Sequence, residues 1–131
     1  MANQFIPYGR QHITQTDIDA VVAVLQSDFL TQGSQVPAFE ERVATYTGAK
    51  FGVAVNSATS ALHIACLALG LGQGEKGKDD WLWTTPITFT ASANCGLYCG
   101  ANIDFVDIDP LTLNMSINAL AEKLQLADAE N

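Results

Sequence analysis

Asn56-Ser57-Ala58-Thr59-Ser60 sets three hydroxyls and an amide side chain into five residues, at a point where the chain changes period. Before it, Phe51-Gly52-Val53-Ala54-Val55 reads as a buried strand; after it, Ala61, Leu62 and Ile64 follow helical spacing. A strand that turns abruptly into a helix over such residues aims several free backbone N–H groups, and the positive end of a helix dipole, at one spot. That chemistry suits a phosphate. It also suits an ordinary helix cap, because Ser and Thr are common cap residues, and the residues alone leave both readings open.

Other chemistry-bearing residues read more plainly. Gly72-Gln73-Gly74-Glu75-Lys76-Gly77 has the letters of a dinucleotide fingerprint, but it follows a helix and opens a charged loop, so it is rejected. Cys95 and Cys99 lie four apart on an expected helix without a second ligand pair, and read as small buried hydrophobes. His63 sits on the helix after the turn, where packing is its expected role. Asp107 and Asp109 share a strand face and end in Asp-Pro, which favours a solvated turn over metal or acid–base work. Phe89, alone, reads as a core aromatic at a helix start.

These residues need elements to hold them. Thr14 to Asp17 offers hydroxyl caps and an acidic first turn, and Ile18, Val21, Val22, Leu25 and Phe29 repeat at helical spacing. A second helix carries Pro37 in its first turn, turns Phe39, Val43 and Tyr46 inward, and closes at Gly48. Then come the strand 51–55, a helix from Thr59 to Leu69 stopped by Gly70, and a surface loop from Gly72 to Asp80 with no apolar anchor. The strand Trp81–Thr84 ends at Pro86. A helix over Phe89–Tyr98 stops at Gly100, a strand runs from Ile103 to Asp109, and Ser116 caps a last helix facing inward through Ile117, Leu120 and Leu124. Alternating strands and helices predict an α/β sheet with right-handed crossovers. Ligands of such sheets sit beyond the carboxyl ends of the strands, where Asn56–Thr59, Thr84–Phe89 and Asp107–Asp109 all fall.

Composition limits the function classes. With 131 residues, 48% hydrophobic and 15% charged, the chain reads as about one globular domain. A net charge of −8 without a basic cluster argues against nucleic acid. The longest apolar run, Ile64 to Leu71, is far short of the roughly 20 residues of a membrane span. The start, Met1-Ala2-Asn3-Gln4, lacks a secretory pattern, and three cysteines fit reduced thiols. The expectation is a cytoplasmic protein that binds neither nucleic acid nor membrane.

Taken together, the segments resemble the amino-terminal part of the pyridoxal-phosphate-dependent sugar aminotransferases of the DegT/DnrJ/EryC1/StrS family. The resemblance rests on Leu30-Thr31-Gln32-Gly33, Phe39-Glu40-Glu41, Val55 to His63, Thr85-Pro86-Ile87-Thr88-Phe89, Gly100-Ala101 and Phe105 to Asp109, in that order and spacing. Asn-Ser-Ala-Thr-Ser-Ala-Leu with Thr-Pro-Ile-Thr-Phe is most similar to the pseudaminic-acid branch, which aminates C4 of a UDP-linked 4-keto-6-deoxy-N-acetyl hexosamine with glutamate as donor. The resemblance implies a truncated piece of a fold-type-I large domain, three-layered α/β/α with a mostly parallel sheet. Residues 1–48 would supply amino-terminal helices and 49–131 a βαβαβα run. It implies pyridoxal 5'-phosphate as cofactor, with Ser57, Ala58 and Thr59 at its phosphate and Phe89 stacked on its ring. Tyr8, Leu30 and Thr31 fall where family members contact the sugar nucleotide, often across a homodimer interface. The Gly74–Asp80 loop is longer than the family's usual turn.

The resemblance also implies what these residues lack. Family members hold the cofactor with a Schiff-base lysine, and its pyridine nitrogen with a carboxylate, both well past the third strand. Lys50, Lys76, Lys78 and Lys123 follow no strand that could aim them into the site, so the chain alone is expected not to transaminate and to carry no catalytic residue. Two rivals stay open: a family dehydratase with histidine in place of that lysine, and a non-catalytic phosphate- or nucleotide-binding module. In the family's sheet the strand before the phosphate turn lies at one edge and the next two pair near the other. Residues 51–55 are therefore expected to pair with no other strand of this chain, or with a partner chain.

Overall fold

A computed structural model describes residues 6–74 and 76–129; Met1 to Phe5, Glu75, Glu130 and Asn131 lie outside that range. The chain divides into two compact units between Ala54 and Val55.

The first unit holds helices α1 (Gln15–Leu25) and α2 (Gln35–Thr47). Thr14 caps α1 in a reciprocal box: its hydroxyl accepts from the Asp17 N–H, and its own N–H donates to the Asp17 carboxylate at 2.7 Å. That N–H, and then the Thr14 hydroxyl, which donates to the same carboxylate oxygen at 2.7 Å, hold the Asp17 carboxyl below its ordinary range. Gly48 closes α2 in the left-handed conformation, φ 73°. The expected inward faces of both helices are exposed: Ile18, Val21, Leu25, Phe39 and Tyr46 all remain open to solvent. Residues 51–54 lie against α2. A Cβ on Gly52 would stand 2.6 Å from the Glu40 carbonyl oxygen, and the Ala54 N–H donates to Glu40 Oε1 at 2.7 Å.

The second unit contains α3 (Ala58–Ala68), β1 (Trp81–Thr84), α4 (Ala91–Cys99), β2 (Asn102–Phe105) and α5 (Ile117–Ala129). Strands β1 and β2 pair in parallel, Trp81 opposite Asn102 and Thr84 opposite Phe105. Helix α4 is the crossover between them, and α3 packs on α4. The unit is therefore α/β, as expected. Gly96 permits the α4–sheet contact, since a Cβ there would meet Ile103 Cδ1 at 2.6 Å. Among the described residues the buried hydrophobic side chains, Cys66, Ala91, Cys95, Ala101 and Val106, all lie in this unit.

Four expectations are corrected here. The first strand of the expected βαβαβα run forms no ladder among the described residues: the sheet has only β1 and β2. A strand exists by its pairing, and residues 51–55 have none, which agrees with the expectation that they pair with neither later strand. The third strand stops at Phe105 and not Asp109. Its partner β1 gives out at Thr84, whose carbonyl takes the Val106 N–H at 2.9 Å, and Pro86 follows. The chain then folds back through an antiparallel bridge between Ile108 and Met115. The loop after Gly72 is no loose excursion. A 3₁₀ turn (Lys76–Asp79) forms, the Gly72 N–H donates to Asp80 Oδ2 at 2.9 Å, and Gly72 lies against the end of α4. In α5 the Ser116 hydroxyl accepts from the Ala119 N–H as a cap, but Ile117 faces solvent where an inward face was expected.

Candidate functional site

The turn into α3 is fixed by its own side chains. The Ser57 hydroxyl accepts from the Ser60 N–H at 3.1 Å, and the Ser60 hydroxyl donates to Asn56 Oδ1 at 2.8 Å. Ser57 Oγ and Ser60 Oγ lie 3.0 Å apart. Because the Ser60 proton goes to Asn56, the Ser57 proton must complete that contact. Ser57 is thus occupied as a cap. The N–H groups of Ala58 and Thr59, and the Thr59 hydroxyl, donate to nothing among the described residues. Ala58 is exposed and Thr59 half-buried. Two uncommitted N–H groups at a helix start, with a free hydroxyl beside them, form a place for an acceptor-only anion.

Phe89 stands between β1 and α4, 74% exposed, so the core-aromatic reading is corrected. Its carbonyl accepts from the Ser92 N–H at 2.9 Å and α4 begins two residues later, at Ala91 and not at Phe89 itself. Thr88 and Ser92 hydroxyls pair at 2.9 Å across the same turn. Tyr8, Leu30 and Thr31, the expected sugar-nucleotide contacts, belong to the first unit and are all exposed. Beside them Gln32 adopts φ 56°, a left-handed conformation uncommon outside glycine.

The remaining candidates take structural places. His63 meets Tyr98 edge to face, centroids 5.3 Å apart, which is the packing role expected of it. Asp109 closes a turn: the Thr112 N–H and then the Leu111 N–H hold its carboxyl below the ordinary range. Lys123 is bonded to the Asp104 carboxylate and, at 3.0 Å, to the Phe105 carbonyl, and lies 5.1 Å over the Trp83 ring. Its bond, and then the Phe105 N–H, lowers the Asp104 carboxyl. This clamp is not apparent in the sequence, where its signal is no more than a lysine on α5 and an acidic position on β2. Among the described residues no His, Cys, Asp or Glu group is placed to hold a metal ion, and no helix is long and apolar enough to cross a membrane.

A sequence profile of the DegT/DnrJ/EryC1/StrS aminotransferase family matches residues 11–127. The UDP-4-amino-4,6-dideoxy-N-acetyl-beta-L-altrosamine transaminase of Campylobacter jejuni is 46% identical over 103 residues, covering 79% of this chain and 26% of that protein. Among solved structures, the Streptococcus pneumoniae protein Spr1654, described as a sugar aminotransferase and seen in its PLP form, superposes with a TM-score of 0.79 at 32% identity. That match covers 89% of this chain and 29% of Spr1654. Helicobacter pylori PseC, an aminotransferase of pseudaminic acid biosynthesis, gives 0.78 at 33% identity over 88% of this chain and 30% of its own. The Escherichia coli GDP-4-keto-6-deoxy-D-mannose-3-dehydratase with bound hydrated PLP gives 0.77 at 28%, over 88% and 30%. The chain thus spans less than a third of the length of each of these relatives.

Proposed function

This chain belongs to the DegT/DnrJ/EryC1/StrS aminotransferase family, and from that premise we propose that it provides the phosphate seat for pyridoxal 5'-phosphate in a nucleotide-sugar aminotransferase. The observation that carries the reading is the pair of uncommitted N–H groups at Ala58 and Thr59, with the free Thr59 hydroxyl beside them. A phosphate dianion accepts three such bonds and is favoured at a helix start. Ser57, committed to the Ser60 N–H and hydroxyl, shapes the turn and leaves the donating to its neighbours. Phe89, exposed at the next turn of the same unit, offers a face for the pyridine ring. Tyr8, Leu30 and Thr31 contribute to holding the sugar nucleotide, and the working protein is a cytoplasmic homodimer.

When bound, the cofactor supplies an electron sink for the carbon that gains or loses the amino group. The proposed reaction moves an amino group from glutamate to C4 of a UDP-linked 4-keto-6-deoxy sugar. The Campylobacter transaminase supports this substrate class through its UDP-linked, 4-amino-4,6-dideoxy product name. The 131 residues by themselves do not transaminate: Lys123 is tied to Asp104, and Lys50 lies over the Phe51 ring at 5.2 Å. The dehydratase reading is second, favoured by the likeness to the Escherichia coli enzyme but at lower identity. Titration of the ¹⁵N-labelled chain with pyridoxal phosphate tests the seat. Amide shifts should concentrate at Ala58 and Thr59, and pyridoxal without its phosphate should bind far more weakly. Shifts confined elsewhere, or equal binding of both compounds, would refute it.

A further inference from the structure

All three cysteines of the chain are free, and they meet between α3 and α4. Cys95 and Cys99 are four residues apart on α4 and so share one face of it. From α3, which packs on α4, Cys66 lies near both, and Cys95 and Cys99 are the titratable groups that act on its thiol. Cys99 Sγ also lies 4.0 Å from the carbonyl oxygen of His63, about one helical turn before Cys66. The His63–Tyr98 ring contact fixes the two helices at the same level. Nothing in the proposed cofactor seat uses these sulfurs, and the three are not arranged to ligate a metal ion.

Their surroundings divide them into two kinds. Cys66 and Cys95 are buried, whereas Cys99 is half-buried and reaches solvent. Burial, and then the neighbouring Cys95 and Cys99, push the Cys66 thiol up to about 11, so it stays protonated and meets few oxidants itself. We propose that Cys66 and Cys99 form an oxidation-responsive pair: a hydroperoxide reaches Cys99, and Cys66 resolves the product into a disulfide that ties α3 to α4.

The chemistry balances in two steps. The Cys99 thiolate attacks one peroxide oxygen, the O–O bond breaks, and the departing oxygen takes a proton to leave as water or, from an organic peroxide, as an alcohol. Cys99 is then a sulfenic acid. The Cys66 sulfur attacks the Cys99 sulfur, the S–O bond breaks, and the hydroxide leaves as water with the Cys66 proton. Two thiols have lost two hydrogens and two electrons, and the peroxide has accepted them. The two sulfurs, on facing helices, must close to the S–S length of about 2.05 Å. The bond would join the helix that starts at the phosphate turn to the helix that follows Phe89.

The sequence makes this easy to read out. Trypsin cuts after Lys50, Lys76, Lys78 and Lys123, which places Cys66 in peptide 51–76 and Cys95 with Cys99 in peptide 79–123. The folded chain is treated with hydrogen peroxide, then denatured, alkylated without reductant, digested and weighed. Peptides 51–76 and 79–123 should appear covalently linked, about 2 Da lighter than their sum, with the single alkyl group on Cys95, and dithiothreitol should restore three alkylatable thiols. Cys66→Ala should abolish the link and let Cys99 proceed to the sulfinic acid, about 32 Da heavier. Because the wild-type map stands without any variant, a Cys66→Ala chain that misfolds leaves the test intact. Three alkylated thiols after peroxide would overturn the proposal, and so would a link confined within 79–123 or an alkyl group on Cys99 in the linked pair. None of these readouts depends on cofactor binding, so the pair and the phosphate seat fail or stand separately.

Discussion

Gly72 is the position where one added carbon should do the most damage. Its φ is +71°, a left-handed conformation that costs an L-residue roughly 1–2 kcal/mol. A Cβ there would also stand 2.0 Å from the Cys99 carbonyl oxygen and 2.7 Å from its carbon. Both clashing atoms are backbone at the end of α4, where Gly100 and Ala101 donate to Leu97 and Gly96 carbonyls, so neither can rotate aside. Overpacking typically costs about 1–3 kcal/mol, and a clash with backbone belongs at the upper end. Gly72→Ala should therefore lose roughly 3–5 kcal/mol, a large share of the 5–15 kcal/mol typical of a folded domain. Gly70→Ala is the control: its φ is +77°, but open space surrounds its missing Cβ, and it should lose only roughly 1 kcal/mol. Urea unfolding followed by tryptophan fluorescence is the assay, because Trp81 and Trp83 lie just beyond Asp80, which holds the Gly72 N–H. Equal losses in the two variants would refute the steric account and leave conformational strain as the sole cost.

On the proposed cofactor reading, Thr59→Val should weaken pyridoxal phosphate binding by about 1.5–3 kcal/mol, the range for a hydrogen bond to a charged group, and unchanged affinity in a titration would remove Thr59 from the seat. Phe89→Ala should weaken it by about 1 kcal/mol through lost stacking, with little effect on stability because the ring is already in solvent. Lys123→Met should destabilise the second unit by about 1 kcal/mol, since Asp104 is 48% exposed and solvent screens the pair; urea unfolding measures it. Asp109→Asn should flatten the acid limb of the stability curve. The Asp109 carboxyl is lowered in the folded chain from 3.8, so its contribution is whole above that pH and is lost as pH falls through the lowered value; unfolding followed from pH 6 to pH 2 shows it.

What the sequence made legible was local. Ser57, Gly48 and Gly100 set helix limits through their own side chains or their lack of one, and the structure places caps at all three. The parallel β1–α4–β2 unit followed from period and proline placement. What stayed hidden depends on partners distant in sequence. Gly72 has its reason in the carbonyl of Cys99, and the early end of β2 has its own in Pro86, just past the end of β1. The apolar spacing of α1 and α2 reads as an inward face, yet spacing cannot say what covers a face. In the phosphate turn the residue types were legible, but the division of labour was not: only the hydroxyl geometry shows Ser57 committed and Thr59 free.

Residues 51–55 carry a colloidal consequence. Phe51 and Val53 are 76% and 74% exposed, the stretch has no charge and no proline, and among the described residues only its Ala54 N–H is tied, to Glu40. That is the composition from which intermolecular cross-β stacking starts. At neutral pH the net charge of −8 keeps copies apart. Near the isoelectric point of about 4.3 that repulsion disappears while the stretch stays open. Turbidity of the concentrated chain should therefore peak there, and a charge introduced by Val53→Lys should lower the peak more than the same substitution at an exposed helix position such as Gln15.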